Sequence, residues 1–179
     1  MGVLNITPDS FYKNNQFLNN LNKISDKDLS YADIVDIGGE SSRPFSKPIN
    51  VADEIRRLSS IDFSLFEKKF LSIDSYKYDV IKYALDNGFN IINDITAGGD
   101  DNRNLNLAVE YKVPIILMHM QGNPQTMQKT PKYHNILDTL MNFFDKKINI
   151  AVNKGIDLDN IIIDPGIGFG KTIEDNFKI

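Results

Sequence analysis

Six short apolar runs rich in Ile and Val recur along this chain, and they constrain its fold more than any other feature. They are Val3 to Ile6, Ile34 to Ile37, Leu71 to Ile73, Ile91 to Ile95, Ile115 to Met118 and Ile161 to Ile163. Each is too short for a buried helix and β-branched enough for a strand. The intervening segments carry helical spacing instead: Val80, Ile81, Ala84 and Leu85; Leu105, Leu107, Ala108 and Val109; and the longer stretch from Ile136 to Val152. Gly88 and Gly155 fall where helices should stop. Strands separated by helix-length crossovers pair in parallel. Near-continuous Ile and Val runs say that both faces of the sheet are covered.

Two parallel architectures fit this alternation. A doubly wound open sheet that binds a dinucleotide places a glycine-rich turn after its first strand, and here that turn reads "NITPDS", without glycine. An eight-stranded barrel instead gathers polar residues from the C-terminal end of every strand at one mouth. The chain has that arrangement: Asn5, Glu40 with Arg43, Asp74, Asn93 with Asp94, His119 and Asp164 follow or end the successive runs. We therefore expect an α/β fold, a TIM (β/α)8 barrel. Such a barrel needs eight strands and typically about 250 residues, whereas the 179 residues here supply six and end at "EDNFKI", inside a sixth helix. The expectation is one incomplete domain over residues 1–179, truncated after about six βα units, with two exposed sheet edges.

Composition narrows the function. The formal net charge is −4, and the basic residues are dispersed instead of forming a stripe, which argues against nucleic acid. The absence of cysteine excludes a disulfide framework, a Cys-based zinc site and a thiol nucleophile. No apolar stretch approaches membrane-spanning length, and the N-terminus lacks a basic region followed by an apolar core, so a cytoplasmic protein acting on small molecules is expected. The segment "IIIDPGIGFGKT" looks like a phosphate-binding loop, but the glycine that the pattern requires five positions before Gly170, with four residues between, falls on Pro165. Proline offers no N–H, so the match fails where a backbone donor is needed. Attention shifts to Asp164, with the following glycines expected to let the backbone approach a ligand and Lys171 to favour anions nearby.

Taken in order, the strand-end motifs "MGVLNITPDSF", "DIGGESSRP", "SIDS", "NDI", "LMHMQGNPQTMQ" and "DPGIGFGKT" resemble those of the dihydropteroate synthase family. This family joins 4-aminobenzoate to a dihydropterin methyl diphosphate in folate biosynthesis and is a sulfonamide target. The resemblance spans essentially the whole chain and implies a pterin-binding TIM barrel. A pterin edge carries an amino group and ring N–H donors beside a carbonyl, which calls for carboxylate acceptors and an amide. Asp74, Asn93 and Asp164 match the family's pterin-binding positions and have those capabilities. A strand-end aspartate read singly is equally well a cap for the following helix. As catalytic groups, Asp74 and Asp164 would stabilise positive charge developing on the pterin methylene.

For the second half of the substrate, the resemblance assigns Asn5 to Mg2+, with the diphosphate itself bringing the metal. Ser42, where the family commonly has threonine, and Arg43 are implied to bind substrate, the arginine through its phosphate- or carboxylate-matching fork. Phe11, Pro44 and Phe169 match apolar positions of the 4-aminobenzoate pocket. His119 is a candidate general base, though a strand-end histidine held by structural hydrogen bonds is the preferred reading, and Asp94 is read as structural. The loops at residues 8–16 and 39–50 are expected to close over the site.

The first loop departs from the family pattern: "DSFYKNNQF" has Lys13, Asn14 and Asn15 where an acidic residue and two glycines are usual. The family's Ser-Arg-Lys and Arg-x-His motifs and its main dimer contacts belong to a later region, so a homodimer is implied for the full-length protein only. Two alternatives stay open: a catalytically inactive pterin-binding paralogue, and a barrel like those that move methyl groups from methyltetrahydrofolate to a corrinoid.

Overall fold

The computed structural model describes residues 1–6, 31–41 and 46–179. Six strands form one sheet: β1 (Gly2–Asn5), β2 (Ile34–Gly38), β3 (Phe70–Asp74), β4 (Ile91–Asp94), β5 (Ile115–Met118) and β6 (Ile161–Asp164). Their spatial order is their chain order, and every pairing is parallel. A doubly wound sheet reverses its strand order at a switch point; this one never does. The architecture is that of a (β/α)8 barrel over six of its strands, as expected.

Five helices lie among the described residues: α1 (Val51–Leu58), α2 (Tyr78–Asp86), α3 (Asn104–Tyr111), α4 (Ile136–Asn153) and α5 (Ile173–Lys178). Local chemistry fixes their ends. Asn135 accepts from the N–H groups of Leu137 and Asp138 at the start of α4, and Thr172 and Asp175 cap α5 reciprocally. Helix α1 was not anticipated from apolar spacing. Its start is nevertheless written in the sequence, because Asn50 accepts from the Asp53 N–H at 2.8 Å and donates back to the Asp53 carboxylate. Acidic residues then fill its first turn and Arg56 and Arg57 its last, matching the helix dipole.

Alternation along each strand divides the sheet into two faces. Val35, Ile37, Leu71, Ile73, Ile92, Ile115 and Leu117 pack with Leu58, Val80, Ile81, Ala84, Leu105 and Ala108 of the helices in one core. The opposite face, the barrel interior, carries Asn5, Asp36, Ser72, Asp74, Asn93, Ile116, Met118 and Asp164 by strand parity. That face is uncovered at the two end strands, where Val3 is 66% and Ile162 42% exposed. No described helix is long and apolar enough to cross a membrane.

Candidate functional site

Parallel register brings the interior polar residues into rows. Asp74 at the end of β3 lies beside Asn93 on β4, and Gly38 at the end of β2 leaves room for the Asp74 carboxylate. A Cβ at position 38 would stand 3.0 Å from Asp74 Oδ2. Asp164 ends β6 opposite Met118, two residues further along the strand direction than Asn93, whose partner on β5 is Ile116. The offset is roughly 7 Å at the rise of a parallel strand. Asn5 ends β1 beside Gly38. The sheet thus brings Asn5, Asp74, Asn93 and Asp164 to one mouth. Phe11, Ser42, Arg43 and Pro44, like Lys13 and its neighbours, lie outside the described residues.

One row below, Asp36 is 4% exposed in the middle of β2. Its Oδ2 accepts from Asn93 Nδ2 at 2.9 Å, and its Oδ1 has no hydrogen-bond partner among the described residues. The bond fixes the Asn93 amide with its nitrogen toward Asp36, leaving Oδ1 as the group that Asn93 offers to the mouth. Burial raises the Asp36 pKa, with Ser72 and Asn93 partly offsetting it. Asp74 is pushed well above the ordinary carboxylate range, first by desolvation and then by the negative charges of Asp36, Glu54, Asp94 and Glu40. A site built this way favours ligands that donate N–H groups or develop positive charge.

Asp94, adjacent to Asn93, faces the other way and is fully buried. Its Oδ1 accepts from the Thr96 N–H and hydroxyl, and its Oδ2 from the Gly98 N–H and Asn104 Nδ2. It organises the β4–α3 connection, as its parity implied.

The turn after β6 differs from the sequence reading. Asp164 Oδ1 accepts from the Gly166 N–H at 2.7 Å across Pro165, which leaves Oδ2 directed away from that turn. Gly166 has φ +70°, and a Cβ there would meet His119 O at 2.2 Å; one at Gly170 would meet Gln121 O at 2.9 Å. Gly166 and Gly170 therefore permit close approach to the chain leaving β5. Phe169 is partly buried on this turn. Lys171 is likewise no surface cation for anions. It is 3% exposed, and its Nζ donates to the carbonyls of Gly166 (2.9 Å), Phe169 (3.1 Å) and His119 (3.1 Å). Burial lowers its pKa to about 8.

The same ammonium lies 3.2 Å from His119 Nδ1. Since Lys171 can only donate, Nδ1 is the acceptor and the imidazole proton sits on Nε2. His119 stands edge-on to Phe143, with ring centroids 4.9 Å apart. Desolvation first, then the Lys171 charge, lowers its pKa to about 4. It is a structural imidazole, and its sign is definite. The unfolded chain takes up a proton near pH 6.5 and the native one only near pH 4, so stability is lost as pH falls through that window, by up to about 3 kcal/mol. Replacing His119 by Asn, which keeps an acceptor for Lys171, should flatten this loss in urea-midpoint titrations. An unaltered acid slope would show that another group causes it.

Beside the interior rows, a cavity of about 610 Å3 opens between the β3–α2, β4–α3 and β5–α4 connections, with Ile95, Met118, Arg103 and Asn123 among its walls. Met118 and Ile95 give it an apolar floor next to the polar row. Among the described residues no group of three or more His, Cys, Asp or Glu is placed to hold a metal ion.

A parallel barrel sheet with carboxylates and an amide converging on its C-terminal mouth defines an α/β-barrel protein with a site for a polar, N–H-rich small molecule. Comparison with known proteins agrees. Residues 1–179 match the family described as pterin binding enzyme, and the chain belongs to that family. It is 36% identical to the dihydropteroate synthase of Haemophilus influenzae over all of this chain and 66% of that protein. It superposes on the Yersinia pestis dihydropteroate synthase, solved as a sulfonamide drug complex, with a TM-score of 0.89 at 35% identity, covering 99% of this chain and 66% of that one. The Xanthomonas albilineans dihydropteroate synthase, solved with 4-aminobenzoic acid, gives a TM-score of 0.85 at 33% identity over 99% of this chain and 64% of that one. The chain thus spans just under two thirds of the length of these relatives.

Proposed function

We infer that this chain carries the pterin half of a dihydropteroate synthase site, in a protein that condenses 4-aminobenzoate with a dihydropterin methyl diphosphate. The observation that carries the reading is the interior row of Asp74 and Asn93, with Asp36 orienting the amide and Asp164 above it. Carboxylate oxygens and the Asn93 Oδ1 accept the amino and ring N–H groups of a pterin edge. An analogue lacking those donors leaves buried acceptors unpaired, at a cost of about 1–3 kcal/mol each.

In the reaction the methylene C–O bond breaks with its electron pair leaving on diphosphate. The lone pair of the aryl amine forms the new C–N bond, and the amine then loses a proton to solvent. Positive charge spreads over the pterin as the C–O bond lengthens. Asp74, in the negative field of Asp36, Glu54, Asp94 and Glu40, stabilises that charge, and Asp164 adds to it from β6. Arg43 and Ser42 would hold the anionic groups, and Phe169, with Phe11 and Pro44, would flank the aminobenzoate ring. Asn5, a single neutral oxygen ligand at the end of β1, fits a Mg2+ that arrives with the diphosphate, not one held by the protein alone. When bound, such an ion neutralises the departing charge. The cytoplasmic location and homodimeric state that the sequence resemblance implies belong to the same proposal.

The test is diphosphate release by the protein expressed in full from its gene, supplied with both substrates and Mg2+. Release that depends on 4-aminobenzoate is expected. Tight pterin binding with no release would instead identify an inactive paralogue, and methyl transfer to a corrinoid would identify the other barrel.

A further inference from the structure

An amide at the mouth of a site is ambiguous, because half a turn of its side chain exchanges an acceptor for two donors. Asn93 is such a group, placed beside Asp74 in the row that ends β3 and β4. What removes the ambiguity is Asp36, one row deeper on β2. An ionised carboxylate only accepts, so the nitrogen of Asn93, 2.9 Å from Asp36 Oδ2, is the one end of the amide that can face it. A reversed amide would set two oxygens against each other.

Asp36 is costly where it stands. It interrupts an apolar strand between Val35, 1% exposed, and Ile37, 0% exposed, and its Oδ1 is buried with no hydrogen-bond partner among the described residues. Burial holds its pKa up even with Ser72 beside it on β3. A buried carboxylate with part of its acceptor capacity unused destabilises a fold, and an apolar residue would serve the strand better. The position is explained instead by what the carboxylate does to Asn93. With that amide held, Asn93 Oδ1 and the Asp74 carboxylate stand as acceptors on adjacent strands about 4.8 Å apart. Asp164 Oδ2, which the turn after β6 leaves unused, adds a third. Reversing the amide would put a donor into this row.

We propose that Asp36 is a positioning residue that determines specificity: through Asn93 it makes the mouth of the sheet a row of acceptors, which selects ligands by the donors along their edge. The ligand class is a heterocycle with an amino group beside ring N–H groups, and isosteres that carry a carbonyl in place of the amine are refused. The proposal rests on the dihydropteroate synthase reading for the identity of that heterocycle, but not for the amide lock itself.

The test uses the protein expressed in full, as the parent, as Asp36→Asn and as the double variant Asp36→Asn, Asn93→Asp. Dissociation constants are measured at pH 7 for 6-hydroxymethylpterin and for its 2,4-dioxo counterpart, which has an oxygen acceptor where the pterin has its amino group. Both ligands are uncharged, so the loss of a nearby carboxylate affects them alike and cancels in their ratio. In Asp36→Asn the two facing amides can pair in either sense, Asn93 is free to turn its nitrogen to the mouth, and the preference for the pterin should fall about tenfold. The double variant exchanges the roles: the amide at position 36 donates to the carboxylate at position 93, whose second oxygen restores the acceptor. The preference should then return to within about threefold of the parent.

A preference that moves less than about threefold in folded Asp36→Asn, or that the double variant does not recover, would overturn the proposal. If Asp36→Asn does not fold, the double variant decides, because it keeps one carboxylate and one amide in the same volume. A parent that binds the two pteridines within about threefold of each other overturns the proposal without any variant. If the parent binds neither, the function reading fails, and urea midpoints at pH 8 decide the lock alone. Asn93→Asp, which sets two carboxylates together, should then unfold at lower urea than the double variant, and equal midpoints refute the lock.

Discussion

On the proposed function, Asp164→Asn should weaken pterin binding by roughly 30- to 150-fold, the equivalent of losing about 2–3 kcal/mol of charge-assisted hydrogen bonding to ring N–H donors. The substitution isolates that effect. The Gly166 N–H now bonds to Asp164 Oδ1 at 2.7 Å, and an asparagine oxygen accepts the same bond, so the turn after β6 survives. What is lost is the second carboxylate oxygen and the charge that faces the interior. Fluorescence titration of a pterin into the protein expressed in full measures the change, and a melting temperature close to that of the parent shows that folding is intact. A dissociation constant that does not move would remove Asp164 from the site and leave Asp74 and Asn93 without their third partner.

The second large effect concerns folding. Lys171→Met should destabilise the protein by about 2–4 kcal/mol, because the carbonyls of His119, Gly166 and Phe169 and the His119 Nδ1 lose their shared donor inside the protein. For a domain of this size or somewhat larger that is a fall in melting temperature of roughly 5–15 °C. Calorimetry with the intact protein decides the point. A melting temperature within a degree or two of the parent would mean that water replaces the ammonium at no cost, and that the glycine turn does not depend on it. The wide reach of this one side chain follows from its position. It joins the chain leaving β6 to the chain leaving β5 beside Gly166, where the two backbones approach closely, and adds to the bonds that Gln128 and Tyr133 donate to the carbonyls of Gly168 and Gly170.

Much of this was legible before the structure. Strand positions came from β-branched runs, and the choice of barrel over open sheet came from the missing glycine turn and the polar strand ends. The sequential parallel order agrees with both. Asp94 was separated from Asn93 by parity alone, and the hydrogen bonds of the β4–α3 connection follow that division. What escaped notice has physical causes. Asp36 sits inside the apolar run "IVDIG", and its bond to Asn93 spans 57 positions of sequence. Lys171 follows a glycine-rich stretch that resembles an anion loop, and only the distant His119 carbonyl reveals it as a buried donor. The pairing of Lys77 with Glu40 and Glu54 joins residues far apart in the sequence, so no local pattern announces it. Helix α1 was readable from its cap and charge gradient instead of its few apolar positions.

The division of each strand between two faces carries an evolutionary consequence. Ile73 seals the helix side while its neighbour Asp74 faces the ligand side, and the same alternation sets Ile92 and Asp94 apart from Asn93. Selection for folding and selection for chemistry therefore act on adjacent codons of the same strand. Each can be tuned by substitution without disturbing the other. A one-codon insertion or deletion within β3 or β4 would exchange the two sets at once, putting a carboxylate among the helices and an isoleucine into the site. A residue inserted in a connection between strand and helix leaves that alternation untouched.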